Sequence, residues 1–135
     1  MLVGLTAYST RQHIVRAALE SAAFQVKQVL DAMLSDSAVA FPSLKVDGGM
    51  TQNNVLMQFQ ADILGVPLHR PKVAETTALG VAFAAGLGVG FWSSQDELRA
   101  LCSVDTVWTP TMPVEKSVYL VKQWEKAVSK SFDWV

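Results

Sequence analysis

Residues 44–54 read Leu-Lys-Val-Asp-Gly-Gly-Met-Thr-Gln-Asn-Asn, and the fold of the chain depends on this stretch. It begins as a short apolar strand and continues into Asp47 and the pair Gly48-Gly49. Apolar residues then recur at helical spacing over residues 55–64. The pattern predicts a strand–turn–helix unit with both glycines in the turn.

A turn of this kind suits a nucleotide. Glycine lacks a Cβ atom, so a ribose or a phosphate can approach the backbone closely. The N-terminus of the following helix offers unpaired N–H groups and a partial positive charge, which attract an anion. The side chains of Asn53 and Asn54 can bond to a base, a ribose or a phosphate. Asp47 can order the loop or lie near a magnesium-bound phosphate.

The same residues also fit a purely structural turn. Asp-Gly and Gly-Gly pairs mark turns in proteins of every function, and Asn is a common helix cap. The sequence contains neither a Walker A lysine loop nor a G-x-G-x-x-G motif. The motif alone therefore leaves both a nucleotide site and a plain helix cap open.

The composition is that of a folded globular domain. Of 135 residues, 50% are hydrophobic and 17% are charged, and the formal net charge is −1. The length fits one domain, and the charge balance gives no electrostatic footprint for nucleic acid or an anionic membrane. Cys102, the single cysteine, cannot form an internal disulfide, and the apolar run 78–92 is too short and too rich in glycine to span a bilayer. We expect a soluble, cytoplasmic protein.

An amphipathic helix is predicted before the unit. From residue 11 to about residue 33 apolar side chains recur at helical spacing, and we expect them to pack on a sheet. Ser9 with Gln12 fits a capping box, and Thr10 is an alternative cap. We interpret His13 as a solvated or capping residue, because no second metal-type side chain lies at helical spacing.

A second strand and another helix are predicted after the unit. Residues 66–71 form a short strand, which Pro67 and Pro71 confine to an edge or to a position where its N–H groups face no partner. The run 78–90, rich in glycine and alanine, predicts a tightly buried helix. Residues 75–77 are interpreted as its cap rather than as catalytic groups.

The end of the chain is predicted to be mostly helical. A short turn capped by Ser94 ends near Leu101, residues 103–113 are irregular, and a final amphipathic helix begins at Val114. Two strands cannot form an independent sheet of ordinary size, yet several helices have apolar faces to cover. We therefore expect the chain to be a piece of a larger α/β domain.

Four runs carry a family resemblance: LKVDGG at 44–49, NNVLMQFQADIL at 53–64, ETTALG at 75–80 and GVGFW at 88–92. They resemble the glycerol kinases, which belong to the FGGY family of carbohydrate kinases, and the similarity extends from Gly4 to Trp134. The resemblance implies an enzyme of two ribonuclease H-like α/β domains, as in actin, hexokinase and Hsp70, with a cleft between them. Residues 1–135 would form the second half of the second domain.

The resemblance also implies site residues and cofactors. Gly49 and Asn53 match ATP/ADP contacts of the family, Gly48 matches the adjacent turn glycine, and Asp47 matches the acidic position of the adenosine motif. ATP and Mg²⁺ are implied as cofactors, with the Mg²⁺ ligands outside this chain. The implied reaction transfers the γ-phosphate of ATP to glycerol and gives glycerol 3-phosphate. In the family the catalytic base, the glycerol-binding side chains and the phosphate-binding loops lie upstream, so we expect no catalytic residue here and no activity from this chain alone.

Two other interpretations remain open. The chain could be a non-catalytic interaction module that binds a partner through an unpaired sheet edge, or a segment of an FGGY kinase acting on a pentose or a similar polyol. An incomplete sheet also predicts a marginal, aggregating or homo-oligomeric chain. The tryptophans are interpreted as packing residues rather than base-stacking ones, because no basic patch accompanies them; they are Trp92, Trp108, Trp124 and Trp134.

Overall fold

A small mixed sheet with helices packed around it organises the structure, a computed structural model that describes residues 1–73 and 75–133. Within these residues there are five α-helices and three strands. In chain order they are α1 (Arg11–Ser37), β1 (Leu44–Lys45), a 3₁₀ turn (Gly49–Gln52), α2 (Asn54–Leu64), β2 (Leu68–Pro71), α3 (Thr76–Gly88), α4 (Gln95–Leu101), β3 (Val104–Trp108) and α5 (Val114–Ser129). Trp134, which was interpreted as a packing residue, lies outside the described residues.

The strands lie in the order β1–β2–β3, with β2 parallel to β1 and antiparallel to β3. Strand β2 is therefore the middle strand, which excludes the edge, one of the two positions predicted for it. Pro71 is accommodated because the pairing shifts register between Arg70 and Pro71, and Pro67 precedes the strand. The prolines occupy positions where the ladder loses no hydrogen bond, which was the other possibility that their spacing allowed.

Strand β3 was not predicted, since residues 103–113 were expected to be irregular. Its sequence, Val-Asp-Thr-Val-Trp, is rich in β-branched and aromatic residues. The prolines that follow at 110 and 113 favoured a loop, and the strand is short. Its partner is β2, so its formation depends on pairing across the chain rather than on a local pattern.

Helix α1 runs four residues beyond the predicted end at residue 33, to Ser37. Its N-cap is Thr10, the alternative, rather than Ser9. The backbone N–H of Thr10 donates to Nδ1 of His13 at 3.0 Å, which confirms the capping interpretation of His13.

The contacts of α1 differ from the prediction in another respect. The helix packs mainly on α2 instead of on the sheet. Ala23 and Phe24 are its buried residues, while Val15 and Val29 on the predicted apolar face are exposed.

The core lies around α2, between α1, the sheet and α5. Its buried side chains come from four elements: Ala23, Phe24, Leu56, Met57, Phe59, Ala61, Ile63, Leu68 and Trp108. The ring of Phe24 stacks on Trp124 with centroids 5.2 Å apart and meets Phe59 edge-on at 5.6 Å. The stacked pair confirms the packing interpretation of Trp124, because aromatic pairs of this geometry add to the energy of burial. The burial of Trp108 in the same cluster confirms that interpretation for Trp108.

One carboxylate ties the core to the segment before α5. Asp62, 8% exposed, accepts the backbone N–H groups of Thr111 at 2.6 Å and Met112 at 3.1 Å through its Oδ1. The amide of Gln58 donates to the same oxygen at 3.0 Å. The buried carboxylate is thereby satisfied, and the segment before α5 is held against α2.

Helix α3 differs most from expectation. It was predicted to be tightly buried, but none of its residues is buried, and Val81 is 66% exposed. Its N-cap residue, Glu75, makes no side-chain cap hydrogen bond. A helix that is apolar all round is stable only when covered, and the sheet of this chain is too narrow to cover it. Neither α3 nor any other helix within the described residues has the length and apolar character needed to cross a bilayer.

Candidate functional site

The predicted turn forms directly after β1. The N–H of Val46 still donates to the carbonyl of His69 at 3.0 Å, and the backbone then leaves the sheet. Gly48 has φ +85° and ψ 173°, a conformation that residues with a Cβ avoid. No atom lies within 4 Å of where a Cβ of Gly48 or Gly49 would stand. The glycine pair therefore makes the turn possible and leaves open space beside it.

The 3₁₀ turn that follows is closed by its own hydrogen bonds. Thr51, 4% exposed, donates to the carbonyl of Gly48 through both its backbone N–H at 3.1 Å and its hydroxyl at 2.7 Å. The N–H of Asn53 donates to the carbonyl of Met50 at 3.1 Å. This geometry fixes where Gly49 and Asn53 lie relative to each other.

Asn53 is the N-cap of α2. Its Oδ1 accepts the backbone N–H groups of Val55 and Leu56, each at 3.1 Å. Its side-chain –NH₂ group makes no hydrogen bond to any residue that the structure describes. The oxygen is occupied by the helix, so the group that Asn53 can offer a ligand is a donor.

Gly49 and Asn53 lie at the same open cavity of about 410 Å³. Its other lining residues come from α1, the turn and α2: Leu19, Met50, Gln52 and Leu56. The structure thus brings together two of the four predicted site residues. Gly48 shapes the backbone behind them.

Asp47 faces a different cavity, of about 400 Å³, between the sheet and α3. Its carboxylate accepts the hydroxyl of Thr76, the first residue of α3. The predicted role of residues 75–77 as a helix cap changes accordingly, since Thr76 bonds across to the turn. Apolar side chains such as Leu79 and Phe83 line much of this cavity.

The described residues do not form a magnesium site by themselves. No group of three or more His, Cys, Asp or Glu side chains in the ranges 1–73 and 75–133 is placed to hold a metal ion. Mg²⁺ demands near-octahedral oxygen ligands, and among the described residues Asp47 contributes the single acidic side chain at its cavity.

Arg70 and Asp105 are features that the sequence did not reveal. Nη1 of Arg70 donates to the carbonyl of Thr51 at 2.8 Å, while Nε and Nη2 donate to Oδ2 of Asp105 at 3.0 and 2.5 Å. The guanidinium also lies over the ring of Trp108, 5.2 Å from its centroid. Hydrogen bonds from Arg70 and from the Thr106 hydroxyl lower the pKa of Asp105 below its ordinary value of 3.8. Recognising this cluster required β3, which no local pattern predicted.

The chain matches a family and its curated members. Residues 1–89 match the model of the FGGY family of carbohydrate kinases, C-terminal domain. Over 135 residues the chain is 59% identical to the glycerol kinase of Chloroflexus aurantiacus, covering 100% of this chain and 27% of that protein. Over 134 residues it is 58% identical to the glycerol kinase of Saccharopolyspora erythraea, with coverage of 99% and 27%. The chain thus spans about a quarter of the length of these relatives.

Solved structures show the same similarity. The structure of Plasmodium falciparum glycerol kinase with ADP matches with a TM-score of 0.87 and 37% identity, covering 98% of this chain and 26% of that one. Xylulose kinase from Rhodospirillum rubrum matches with a TM-score of 0.77 and 28% identity, covering 95% and 26%. These matches confirm the predicted fold class, an α/β part of a ribonuclease H-like domain of the actin and hexokinase type. The chain belongs to the FGGY family of carbohydrate kinases, and it matches the C-terminal domain of that family.

Proposed function

We propose that this chain is the ATP-binding C-terminal portion of a glycerol kinase and forms the second half of its second domain. The whole enzyme would transfer the γ-phosphate of ATP to glycerol and release glycerol 3-phosphate. The turn at 47–53 carries this proposal. Its open glycines and its capping asparagine lie in a chain whose sequence is 37% identical to that of a glycerol kinase solved with ADP.

The geometry favours the adenosine part of the nucleotide over its phosphates. The N–H groups of Val55 and Leu56, which would otherwise attract an anion, are already bonded to Asn53. Gly49 allows close approach, and the Asn53 –NH₂ group can donate to a lone pair on the base or ribose. We assign Gly48 to the shape of the turn and Asp47 to its attachment to α3.

The remaining machinery is assigned to sequence upstream of this segment in the relatives. Phosphoryl transfer requires a base, a metal-bound phosphate and a positioned acceptor. We propose that the upstream part supplies the base, the glycerol site and the phosphate-binding loops, and that Mg²⁺ arrives with the phosphates of ATP. The chain alone is then inactive, and the whole enzyme would work in the cytoplasm.

Glycerol is favoured over another polyol by the identities. The glycerol kinases of Chloroflexus aurantiacus and Saccharopolyspora erythraea are 59% and 58% identical to this chain. Among the solved structures, the glycerol kinase of Plasmodium falciparum is 37% identical and the xylulose kinase of Rhodospirillum rubrum is 28% identical. The alternative of an interaction module that binds through a sheet edge is supported by β1 and β3, the outer strands of the described sheet, and by the exposed apolar helix α3. Nucleotide binding distinguishes the proposal from the interaction module. Kinase activity, measured together with the upstream part, distinguishes it from a kinase that acts on another polyol.

The deciding experiment is an ADP titration of the purified chain by calorimetry, with Asn53→Asp as the test variant. Asp caps a helix as well as Asn does, so α2 stays intact, but the donor to the ligand is lost. We expect ADP affinity to fall about tenfold or more, since a ligand acceptor then faces a carboxylate. Asn54→Asp is the matched control, because it adds the same charge at an exposed neighbouring position and should change affinity by less than about threefold.

Glycine substitution gives a second test of the same site. Gly49→Val fills the open space beside the turn without requiring a positive φ, and it should also weaken ADP binding, because a side chain then occupies the space that the ligand would use. Equal ADP affinity in the wild type and both site variants would contradict the assignment. A cooperatively folded chain that binds no ADP at all would favour the interaction module.

A further inference from the structure

We propose that Arg70 is a positioning residue for the nucleotide turn: by holding the carbonyl of Thr51, it sets the position of Gly49 and Asn53. What the turn binds rests on the function proposed above. The positioning itself is a property of the free chain and can be measured without any ligand.

Thr51 is the point at which the turn can be held. It lies within the 3₁₀ turn, its side chain is buried, and both its N–H and its hydroxyl bond back to Gly48. Its carbonyl points the other way and accepts Nη1 of Arg70 at 2.8 Å. The bond joins residues 19 positions apart in the sequence, so it connects the turn to the sheet.

The other side of the guanidinium is held by β3. Nε and Nη2 both donate to Oδ2 of Asp105, and Nη2 also donates to the hydroxyl of Thr106 at 3.1 Å. The face of the group lies on Trp108 and its side chain is 15% exposed. A planar fork held on these sides has little rotamer freedom left. It therefore transmits the position of the β2–β3 pair to the turn.

The consequence for the site follows from the hydrogen bonds of the turn. The N–H of Asn53 closes the turn on Met50, one residue before the carbonyl that Arg70 holds. Loss of the guanidinium would leave that carbonyl free to rotate, which opens the turn and displaces the cap. The substitution Arg70→Lys would supply one point charge in place of a fork, so it should hold the carbonyl but less firmly.

The experiment compares Arg70→Gln, Arg70→Lys and Asp105→Asn in the whole chain, by amide hydrogen exchange and by ADP titration. We expect Arg70→Gln to speed exchange of the Thr51 and Asn53 amides about tenfold, since a bond to a charged donor is lost. Amides inside α2, such as that of Phe59, should keep their rates. ADP affinity should fall about five- to tenfold, and Arg70→Lys should restore part of both.

Asp105→Asn separates positioning from a plain ion pair between strands. It removes the carboxylate but leaves the bond from Arg70 to Thr51, so a positioning role predicts a smaller effect on the turn than Arg70→Gln gives. Equal effects of the two variants, spread over the whole sheet, would overturn the inference. So would ADP affinity that is unchanged in Arg70→Gln while the wild type binds.

The inference and the proposed function can fail separately. If the wild type binds no ADP but Arg70→Gln selectively loosens Thr51 and Asn53, the positioning holds and the nucleotide assignment fails. If the wild type binds ADP and the turn amides ignore Arg70→Gln, the assignment holds and the positioning fails. Should Arg70→Gln not fold, the exchange rates of the Thr51 and Asn53 amides in Arg70→Lys and Asp105→Asn decide the matter. A larger rate increase in Arg70→Lys than in Asp105→Asn supports the positioning role, and an equal or smaller one overturns it.

Discussion

Oδ1 of Asp62 accepts the backbone N–H of Thr111 at 2.6 Å and so joins α2 to a segment 49 residues further along the chain. The same oxygen accepts the N–H of Met112. Asp62 is itself 8% exposed and its carboxylate also accepts the amide of Gln58, so removing it costs these hydrogen bonds to a charged acceptor.

We expect Asp62→Ala to lower the free energy of unfolding by about 2–3 kcal/mol, the cost of losing hydrogen bonds to a charged acceptor. Thermal unfolding followed by circular dichroism should show Tm lower by roughly 5–12 °C. Asp36→Ala removes an exposed acid near the end of α1, and it should stay within about 0.5 kcal/mol of the wild type. Equal stability of Asp62→Ala and Asp36→Ala would show that the buried carboxylate contributes nothing.

A second prediction concerns Gly86 in α3. A Cβ at this position would overlap the six-membered ring of Trp92, which lies directly on the helix backbone. Gly86→Ala should therefore displace the indole and shift tryptophan fluorescence, at a cost of about 1–3 kcal/mol. Gly80→Ala is the matched control, because its Cβ meets nothing within 4 Å and alanine favours a helix interior by about 0.5–1 kcal/mol.

The cause of the Gly86 effect can be checked with a double variant. If the overlap with Trp92 is responsible, Gly86→Ala should cost nothing in a Trp92→Ala background. A cost that persists there would place its origin in the helix backbone instead.

The pairing of Arg70 with Asp105 predicts a dependence of stability on pH. Hydrogen bonds from Arg70 and Thr106 lower the pKa of Asp105 in the folded chain below 3.8, so the unfolded chain binds the proton more readily. The contribution of the pair is thus fully present above about pH 4–5 and is lost as the pH falls through the lowered value. Urea midpoints measured from pH 7 down to pH 2 should show the wild type and Asp105→Asn converging at the acid end. A constant difference across that range would mean that Asp105 does not titrate differently on folding.

The exposed side of α3 predicts self-association. Val81 is 66% exposed on a helix that is apolar on every side. Such an exposed apolar surface is typical of an interaction site. Sedimentation velocity should show concentration-dependent oligomers for the wild type and a larger monomer fraction for Val81→Glu. Val114→Glu carries the same charge at an exposed position at the start of α5, where an acid suits the helix dipole, and it should oligomerise like the wild type.

The local features of the fold were predictable from the sequence. The unit from β1 through α2 was recognised because apolar spacing, turn glycines and a capping asparagine lie within some twenty residues of one another. Gly65 at φ +71° ends α2 where the pattern indicated, since glycine adopts this conformation at little cost. The long α1 and the final α5 followed from periodicity in the same way.

The non-local features were not predictable. The middle position of β2 and the existence of β3 depend on pairing that no short window contains. The link from Arg70 to Asp105 spans 35 residues and appears once those strands are paired. The burial predicted for α3 is wrong for a different reason: the three-stranded sheet of the described residues is too narrow to cover this helix.

The distribution of the core divides the chain into parts that should open at different free energies. Every residue of the main buried cluster comes from α1, α2, β2 or β3, and α5 packs against it, whereas α3 and α4 contribute none. The segment that contains these two helices begins after Pro71 and ends at Val104, two positions that are partners in the β2–β3 ladder. Pairing of the two strands holds the ends of this loop together, so the loop can unfold and refold while the strands remain paired. Protease nicking would begin within this loop, and the two flanking pieces would stay together after the cut.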